Sequence, residues 1–292
     1  MEHPLTVGTD GSDAAFRSLD WAVDEAVRHA LPLRIVHASR WERYEGTSSA
    51  PAPERPVEQV LAENIVASAA DHARHRHADL RVSAEVLADD AVTVLLNEGL
   101  HASALVLGSR GRGEITGLLL GSVTLTVAAR ARCPVIVVRG DPAGLAGTHD
   151  RVLLGIADPA GEMAAVRFAF REAEARGCTL EAVCAWRRPA PGTAADAPQP
   201  AAEPHRSDEE QATALLDDAL AEAAGAHPAV RVERAVVEGP AHKVLVHRAA
   251  AADLLVVGAQ RRHGHFGLQP GRVAHTALCH AACPVAVVPP TA

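Results

Sequence analysis

Aromatic side chains are scarce in this chain. Among 292 residues there are four Phe, three Trp and one Tyr, although hydrophobic residues make up 48% of the total. The core must therefore be built from Ala, Val and Leu. Such small and branched residues suit helices packed on a parallel sheet.

Cysteine and positive charge are also in short supply. The five cysteines are an odd number without paired spacing, which favours a reducing compartment. Basic residues number 28 against 36 acidic ones, a net charge of −8, which argues against a nucleic-acid or anionic-membrane partner. No apolar run approaches the roughly 18–20 residues that cross a bilayer, and no secretory signal is visible. We therefore expect a cytoplasmic protein that binds neither nucleic acid nor membrane.

The sequence also lacks the motifs of several enzyme classes. There is no Gly-x-Ser-x-Gly elbow, no His/Glu zinc motif and no Gly-Lys-Ser/Thr phosphate loop. We therefore predict no catalytic residue. Three groups have spacings that could suit a metal site: His72/His75/His77, His263/His265 and Cys279/Cys283. They lack further ligands at a usual spacing, so we predict no metal site at any of them.

The chain consists of two matching halves in which strands alternate with helices. The segment Leu5–Gly8 in the first half corresponds to Val152–Gly155 in the second. The alternation predicts parallel βαβ units and an α/β fold. We expect a first domain over residues 1–139, a linker over 140–150 and a second domain over 151–292.

Hydrophobic periodicity predicts the individual elements. The predicted helices of the first half are Asp13–Ala30, Val57–His77, Val92–His101 and Gly121–Ala131. The predicted strands are Leu5–Gly8, Leu33–His37, Leu80–Leu87, Ala104–Leu107, Pro134–Val138, Val152–Gly155, Leu180–Cys184, Val232–Val237, Asp253–Val257 and Pro284–Val288. Pro-rich segments at 41–56 and 187–208 are predicted loops.

A glycine motif follows the strand at 104–107. Gly108 and Gly111 can take positive φ and let the backbone approach a ligand closely. Gly121 and Ser122 then open a helix, whose free N–H groups and dipole favour an anion. Strand, glycine turn and helix start together predict a phosphate site, and the neighbouring arginines 110 and 112 could add charge to it.

The second half carries a decayed copy of this motif between Gly258 and Gly271. Arg261 replaces the second loop glycine, and Arg272 replaces the hydroxyl residue at the helix start. The strand-one aspartate is displaced by one place, to Asp158. A bulky Arg272 could occupy the phosphate pocket itself or bind an anion in another way, and we favour a second site that is empty or self-filled.

Five segments together resemble the universal stress protein family: Val7–Ser12, Val36–Ala38, Gly108–Ser122, Cys133–Val135 and Cys283–Val285. The resemblance covers nearly the whole chain, as a tandem of two such domains. It implies that each half is a doubly wound sheet of five parallel strands, order 3-2-1-4-5, flanked by helices. It also implies that the halves pair through their last strands and that the glycine motif distinguishes members that bind ATP.

Ligands of doubly wound sheets bind where the strand order reverses, here between strands one and four. Asp10 and Gly108 would meet there, although Asp10 could instead cap a helix together with Gly11 and Ser12. The resemblance implies that Asp10 contacts ribose or base and that Thr9 and Ala38 line an adenine pocket. The predicted nucleotide-binding residues are Thr9, Asp10, Ala38, Leu107, Gly108, Arg110, Gly111, Gly121, Ser122, Val123 and Thr124.

The sequence therefore predicts a stress protein that binds ATP in its first half as a regulatory ligand, with the second half mainly structural. Whether Mg²⁺ accompanies ATP, and whether a homodimer forms, stays open. One alternative is a nucleotide-free interaction protein, since Asp89–Asp90 stands where the second half has Gly239–Pro240. Another is a slow ATPase or an adenylate-handling transferase, for which a general base near the glycine loop is missing.

Overall fold

The computed structural model describes residues 3–40, 57–111, 120–157, 159–187, 208–259, 261–264 and 267–290. The predicted loop at 41–56, residues 188–207 of the second predicted loop, and Arg112, Asp158 and His265 lie outside the described residues. Within the described ranges, none of the helices combines the length and the apolar character that a bilayer crossing requires.

Ten strands form one sheet across both halves, and two more form a separate ribbon. In chain order the strands are β1 Leu5–Gly8, β2 Leu33–Ala38, β3 Val82–Leu87, β4 Ala104–Gly108, β5 Val135–Val138, β6 Arg151–Ile156, β7 Thr179–Trp186, β8 Val232–Glu238, β9 Leu254–Gly258, β10 Arg261–Gly264, β11 Gly267–Pro270 and β12 Val285–Val288.

The strand order is β3-β2-β1-β4-β5-β12-β9-β6-β7-β8. Within each half all neighbouring strands run parallel, in the order 3-2-1-4-5. The predicted fold class and tandem arrangement are therefore confirmed. The central strands are buried on both faces, which explains why they are nearly continuous runs of Val, Leu and Ile.

The two halves are joined in the ten-stranded sheet by one antiparallel strand pair, β5 with β12. Val137 of β5 stands opposite Val285 of β12, and Ile136 stands opposite Ala286. Every residue of both strands is buried. Two edge strands that would otherwise expose unpaired backbone groups thus cover each other.

Helices cover both faces of the sheet. They are α1 Asp13–Arg28, α2 Val57–Arg76, α3 Ala91–Glu98, α4 Ser122–Arg130, α5 Pro142–Ala146, α6 Pro159–Arg176, α7 Asp208–Ala226, α8 Ala241–Arg248 and α9 Arg272–His280. The first core cluster packs α1, α2, α6 and α7 on one face, and the second packs α3, α4, α8 and α9 on the other. Both clusters continue across the β5–β12 seam, and Ala, Val and Leu supply most of their side chains.

The segment predicted as linker contains the short helix α5. Asp141 caps its start by accepting from the N–H of Gly144 at 2.9 Å, and Gly147 closes it in the left-handed region. An Asp-Pro start and a Gly end are ordinary helix boundary signals, which the composition of the segment obscured. The linker also contacts the second half, because the N–H of Asp141 donates to the carbonyl of Ala282 at 3.0 Å.

The second glycine segment forms an antiparallel ribbon that the sequence did not predict. Strands β10 and β11 pair from Arg261 opposite Pro270 to Gly264 opposite Gly267. The β11 backbone lies against α4 of the first half. The two halves are thus linked by this ribbon, on the face of the sheet that carries α4, as well as by the sheet itself.

A buried ion cluster, formed by Glu25, His29, Glu172 and Arg176, joins the halves on the opposite face. Glu25 stands on α1 one turn before His29, the C-cap of that helix, and Glu172 and Arg176 stand one turn apart on α6. Arg176 Nη2 donates to Glu25 Oε2 at 2.7 Å, and His29 Nε2 lies 3.2 Å from Glu172 Oε1. Each cation therefore faces the carboxylate of the other half, and Arg28 adds a further contact to Glu25.

Three members of the ion cluster have the geometry of metal ligands. The ligand atoms of Glu25, His29 and Glu172 lie within 4.8 Å of one another. Arg176, however, already donates to both carboxylates, at 2.7 Å to Glu25 and 3.3 Å to Glu172. A metal ion would have to displace a buried guanidinium, so we interpret the cluster as an ion-pair network.

The close contacts within the ion cluster shift the titration of its members. Contact with Glu172 and Glu25 raises the pKa of His29 to about 9. Burial and the neighbouring Glu25 raise the pKa of Glu172. Burial alone would raise the pKa of Glu25 as well, but Arg176 and His29 outweigh it and hold that pKa below its ordinary value.

The raised pKa of His29 predicts a loss of stability at alkaline pH. A raised folded-state pKa contributes stability that is complete below the unfolded pKa of 6.5 and disappears as pH rises through about 9. We expect His29→Gln to cost about 1–3 kcal/mol at pH 6 and almost nothing at pH 10. Urea unfolding at both pH values measures this difference.

His29→Arg is the matched control, because it copies the residue at the equivalent position of α6, Arg176, and keeps its charge at pH 10. Its stability should decline less between pH 6 and pH 10 than that of the wild-type chain. An equal penalty for His29→Gln at both pH values would show that His29 is not protonated in the folded chain.

Candidate functional site

A cavity of about 420 Å³ opens between the carboxyl ends of β1 and β4, where the strand order reverses. Its volume is within the range of small-molecule sites. All eleven residues predicted from the sequence line this one cavity: Thr9, Asp10, Ala38, Leu107, Gly108, Arg110, Gly111, Gly121, Ser122, Val123 and Thr124.

The turn after β1 places Asp10 at the mouth of this cavity. Gly11 adopts the left-handed region at φ 73°, which favours glycine, and Asp10 Oδ1 accepts from the N–H of Ser12 at 3.0 Å. Ser12 Oγ in turn accepts from the N–H of Ala15 at 3.2 Å. Ser12 is therefore the cap of α1, and the alternative role of Asp10 as the helix cap is wrong.

Gly111 places the glycine loop after β4 against the turn after β1. A Cβ at Gly111 would lie 2.5 Å from Asp10 Oδ2, although the two residues are far apart in sequence. At Gly108 a Cβ would lie 3.1 Å from the carbonyl oxygen of Arg110 and 3.2 Å from that of Ala14. Neither glycine has positive φ, so of the two reasons for glycine only close approach remains. The neighbours are backbone oxygens at Gly108 and the carboxylate of Asp10 at Gly111.

Helix α4 begins at the rim of the cavity. Gly121 is its N-cap, with φ −72° and no side-chain cap, so Ser122 is the first helical residue. The start is fixed to the loop after β4, because Gly121 N donates to Ser109 O at 2.8 Å and Thr124 Oγ1 donates to Gly108 O at 2.8 Å. The first N–H groups of a helix have no partner within it, and the residues that carry them here, Ser122, Val123 and Thr124, line the cavity.

Seven further residues line the cavity and were missed by the sequence analysis. They are small or apolar: Gly8, Ala15, Val36, Ala91, Val94, Leu95 and Leu120. Three of them come from α3, which Asp90 caps by accepting from the N–H groups of Val92 and Thr93 at 3.1 Å. An apolar helix face offers no signal that separates a cavity wall from ordinary core. The cap also gives Asp90 a structural role.

Two charged residues line the described part of the cavity. Arg110 is exposed and lines the cavity rim. Asp10 is the one carboxylate among the described lining residues. The cavity therefore combines an apolar interior with one acid, one arginine and the start of a helix.

The equivalent crevice of the second half is nearly closed. A cavity of about 40 Å³ lies between β6 and β9, framed by Gly155, Gly258 and Gly271. Arg272 is exposed and is not among its lining residues. The expectation that Arg272 could occupy this pocket was therefore wrong. The described lining residues instead include the side chains of Glu162 and Leu245.

Two of the histidines that were considered as metal ligands have other contacts. His72 Nε2 lies 2.7 Å from Asp20 Oδ1, and His75 Nδ1 lies 2.7 Å from the carbonyl oxygen of Asp71. Cys279 and Cys283 are buried free thiols, and burial raises the pKa of both. A raised thiol pKa disfavours the thiolate that metal binding needs.

Comparison with known proteins gives a consistent result over the whole chain. The sequence model of the universal stress protein family matches residues 1–139 and again 148–289. A universal stress protein of Mycobacterium tuberculosis is 34% identical over 300 residues, covering 98% of this chain and 97% of the relative. One from Mycolicibacterium smegmatis is 30% identical over 295 residues, covering 99% and 98%.

Solved structures show a similar fold. A universal stress protein from Archaeoglobus fulgidus superposes with a TM-score of 0.70 at 17% identity, covering 99% of both chains. A Pseudomonas aeruginosa protein described as a putative universal stress protein gives a TM-score of 0.60 at 14% identity, covering 98% of this chain and 92% of the other. At these identities the likeness concerns the fold alone.

Proposed function

The chain belongs to the universal stress protein family, and from that premise we propose that its first half binds ATP as a regulatory ligand in the stress response. The observation that carries the proposal is the cavity of about 420 Å³ at the sheet's reversal point, lined by both sequence motifs. The second half, whose crevice is a tenth of that size, would be mainly structural.

The residues fit a nucleotide in three regions. The phosphates would lie at Gly111, Gly121 and Ser122, because a helix start offers free N–H groups and a favourable dipole. A Cβ at Gly111 would fill space beside Asp10, so this glycine keeps room for a ligand there. Ribose would contact Asp10, and the apolar interior at Ala38 would receive the base.

Thr9, Leu107, Val123 and Thr124 complete the proposed contact set, with Gly108 beside them in the loop after β4. Arg110 supplies positive charge at the exposed rim. Mg²⁺ would enter with the triphosphate, since among the described lining residues a single carboxylate is available to help hold it.

The organisation of the chain is also part of the proposal. The two units, residues 1–139 and 151–292 with a linker between them, would remain paired in solution through β5 and β12. A homodimer would be a further level of assembly. The net charge of −8 supports a protein without nucleic-acid or membrane partners, and we propose a cytoplasmic location.

We expect ATP turnover far below the roughly 1–10³ per second of typical enzymes. Hydrolysis needs a positioned water and stabilised charge on the transferred group. Asp10, the one carboxylate among the described lining residues, accepts from Ser12 N and would lie at the ribose end. Steady-state phosphate release at saturating Mg·ATP measures the rate. Turnover in the ordinary enzyme range that is lost in Asp10→Ala would identify an ATPase instead.

The proposal is tested by extracting small molecules from the purified full-length chain under denaturing conditions and identifying them by mass spectrometry. We expect an adenine nucleotide, at no more than one equivalent per chain. If the extract contains none and added ATP leaves the melting temperature unchanged, the alternative of a nucleotide-free interaction protein holds.

A further inference from the structure

The two crevices differ about tenfold in volume although they share one framework. Gly155, Gly258 and Gly271 of the second half correspond to Gly8, Gly108 and Gly121 of the first in strand position and spacing. Loss of glycine at these three places therefore does not explain the closure. Arg272 does not explain it either, because its side chain is exposed.

Glu162 occupies the second crevice. It is buried, at 6% exposure, and its Oε2 accepts from the N–H of Ala157 at 2.7 Å. A Cβ at Gly258 would lie 2.8 Å from Glu162 Cγ. From the first turn of α6, the Glu162 side chain thus contacts both the residue after β6 and the last residue of β9.

The first half has Ala15 at the corresponding position. Ala15 stands seven residues after Gly8, as Glu162 stands seven residues after Gly155. Ala15 lies in the first turn of α1, is buried and lines the large cavity. A methyl group there leaves the space that a propionate side chain takes up in the second half.

The wall of the crevice opposite Glu162 differs less between the two halves. A Cβ at Gly155 would lie 2.5 Å from Leu245 Cδ1, whereas a Cβ at Gly8 would lie 2.9 Å from Leu95 Cδ2. Both leucines come from equivalent helices, α8 and α3. Leucine is therefore common to the two walls, and the Ala-to-Glu difference is the larger change between the crevices.

We propose that Glu162 is an internal plug that closes the second crevice to nucleotides, and that Ala15 is the residue that keeps the first crevice open. The side-chain volume of Glu162 fills the crevice, and its carboxylate takes the Ala157 N–H and would repel a phosphate. The plug as a steric feature stands on the geometry alone. The identity of the excluded ligand rests on the proposed function.

The first experiment uses the Gly111→Arg chain, in which the first crevice is expected to lose its phosphate space. Adenosine and ATP are titrated calorimetrically into this chain with and without Glu162→Ala, and the adenosine binding of the Gly111→Arg chain alone is the baseline for the first crevice. We expect one additional adenosine site per chain when Glu162 is removed. If the wild-type chain binds adenosine but the double variant has no additional site, the proposal is overturned.

Glu162→Gln in the same background separates volume from charge. Glutamine has nearly the same size as glutamate, so we expect the crevice to stay closed. Adenosine binding as strong as in the Glu162→Ala variant would show that side-chain volume is not what closes the crevice, which would overturn the steric plug.

The reverse exchange, Ala15→Glu in the wild-type chain, should lower ATP affinity at least 100-fold. Val27→Glu is its matched control, because Val27 lies on the same helix, is exposed and is not among the cavity-lining residues. It should bind ATP like the wild type. Unchanged affinity in Ala15→Glu would count against the proposal.

A crystal structure of the Glu162→Ala chain tests the plug without relying on nucleotide binding. An open crevice approaching the volume of the first supports the plug even if no nucleotide binds to either half. A crevice that remains closed without the Glu162 side chain would overturn it. Failure of wild-type ATP binding alone would refute the proposed function and not the plug.

Discussion

Gly111→Arg is expected to abolish ATP binding, with at least a 100-fold loss of affinity, while the chain still folds. A Cβ at this position would lie 2.5 Å from Asp10 Oδ2, so any side chain forces the Asp10 carboxylate to shift. The rest of the arginine would then extend into space that the phosphates need. The same exchange stands naturally in the second half, at Arg261.

Gly225→Arg is the matched control for this variant. Gly225 lies in α7, and a Cβ there would meet no atom within 4 Å. Affinity should be unchanged, and circular dichroism should show folded protein for both variants. If the Gly111→Arg chain binds ATP as tightly as the wild type, the assignment of the phosphate loop is wrong.

Arg176→Met is expected to lower the free energy of unfolding by about 3–5 kcal/mol, the usual effect of removing one partner of a buried ion pair. Arg176 is 8% exposed, and its guanidinium donates to both carboxylates of the ion cluster. It also lies 5.6 Å from the ring centroid of Trp21. Without it, two buried carboxylates retain His29 and Arg28 as partners.

Two comparisons make the Arg176 prediction specific. Arg167 lies on the same helix but pairs with Glu222 at 3.7 Å in an exposed contact, so Arg167→Met should cost under about 1 kcal/mol. Adding Glu25→Gln to Arg176→Met should recover part of the loss, because one uncompensated charge is removed. Equal urea midpoints for the two methionine variants would show that the ion cluster does not stabilise the chain.

The sequence was most informative where a motif and a topology rule agreed. The turn after β1 and the glycine loop after β4 are far apart in sequence, yet the reversal of strand order between β1 and β4 predicts that Asp10 and Gly108 meet. Both line the same cavity. The ten predicted strands and the predicted helices of the first half likewise agree with the structure to within about three residues.

The sequence was least informative where one side chain decides the outcome. A single glutamate in the first turn of a helix resembles a surface residue, so Glu162 gave no signal that it fills a crevice. Arginine substitutions drew attention instead, and Arg272 proved to be exposed. Nor can one helix reveal its distant partner: the contact of His29 with Glu172 depends on how the halves pack.

The sequence did not identify the cap residues for a related reason. Gly121 and Ser122 were both expected at the start of the helix, and the backbone makes Gly121 the N-cap and Ser122 the first helical residue. Asp10 was a plausible cap for α1 until Ser12 was seen to accept from Ala15 N. Neighbouring polar residues satisfy the same sequence rule, and only the backbone geometry chooses between them.

The central claim is that one of the two crevices binds ATP, and the stoichiometry of binding tests it most directly. Calorimetric titration of ATP into the nucleotide-stripped full-length chain should saturate at one nucleotide per chain. Two equivalent sites would contradict the account of the closed second crevice, and the absence of binding would contradict the account of the open one.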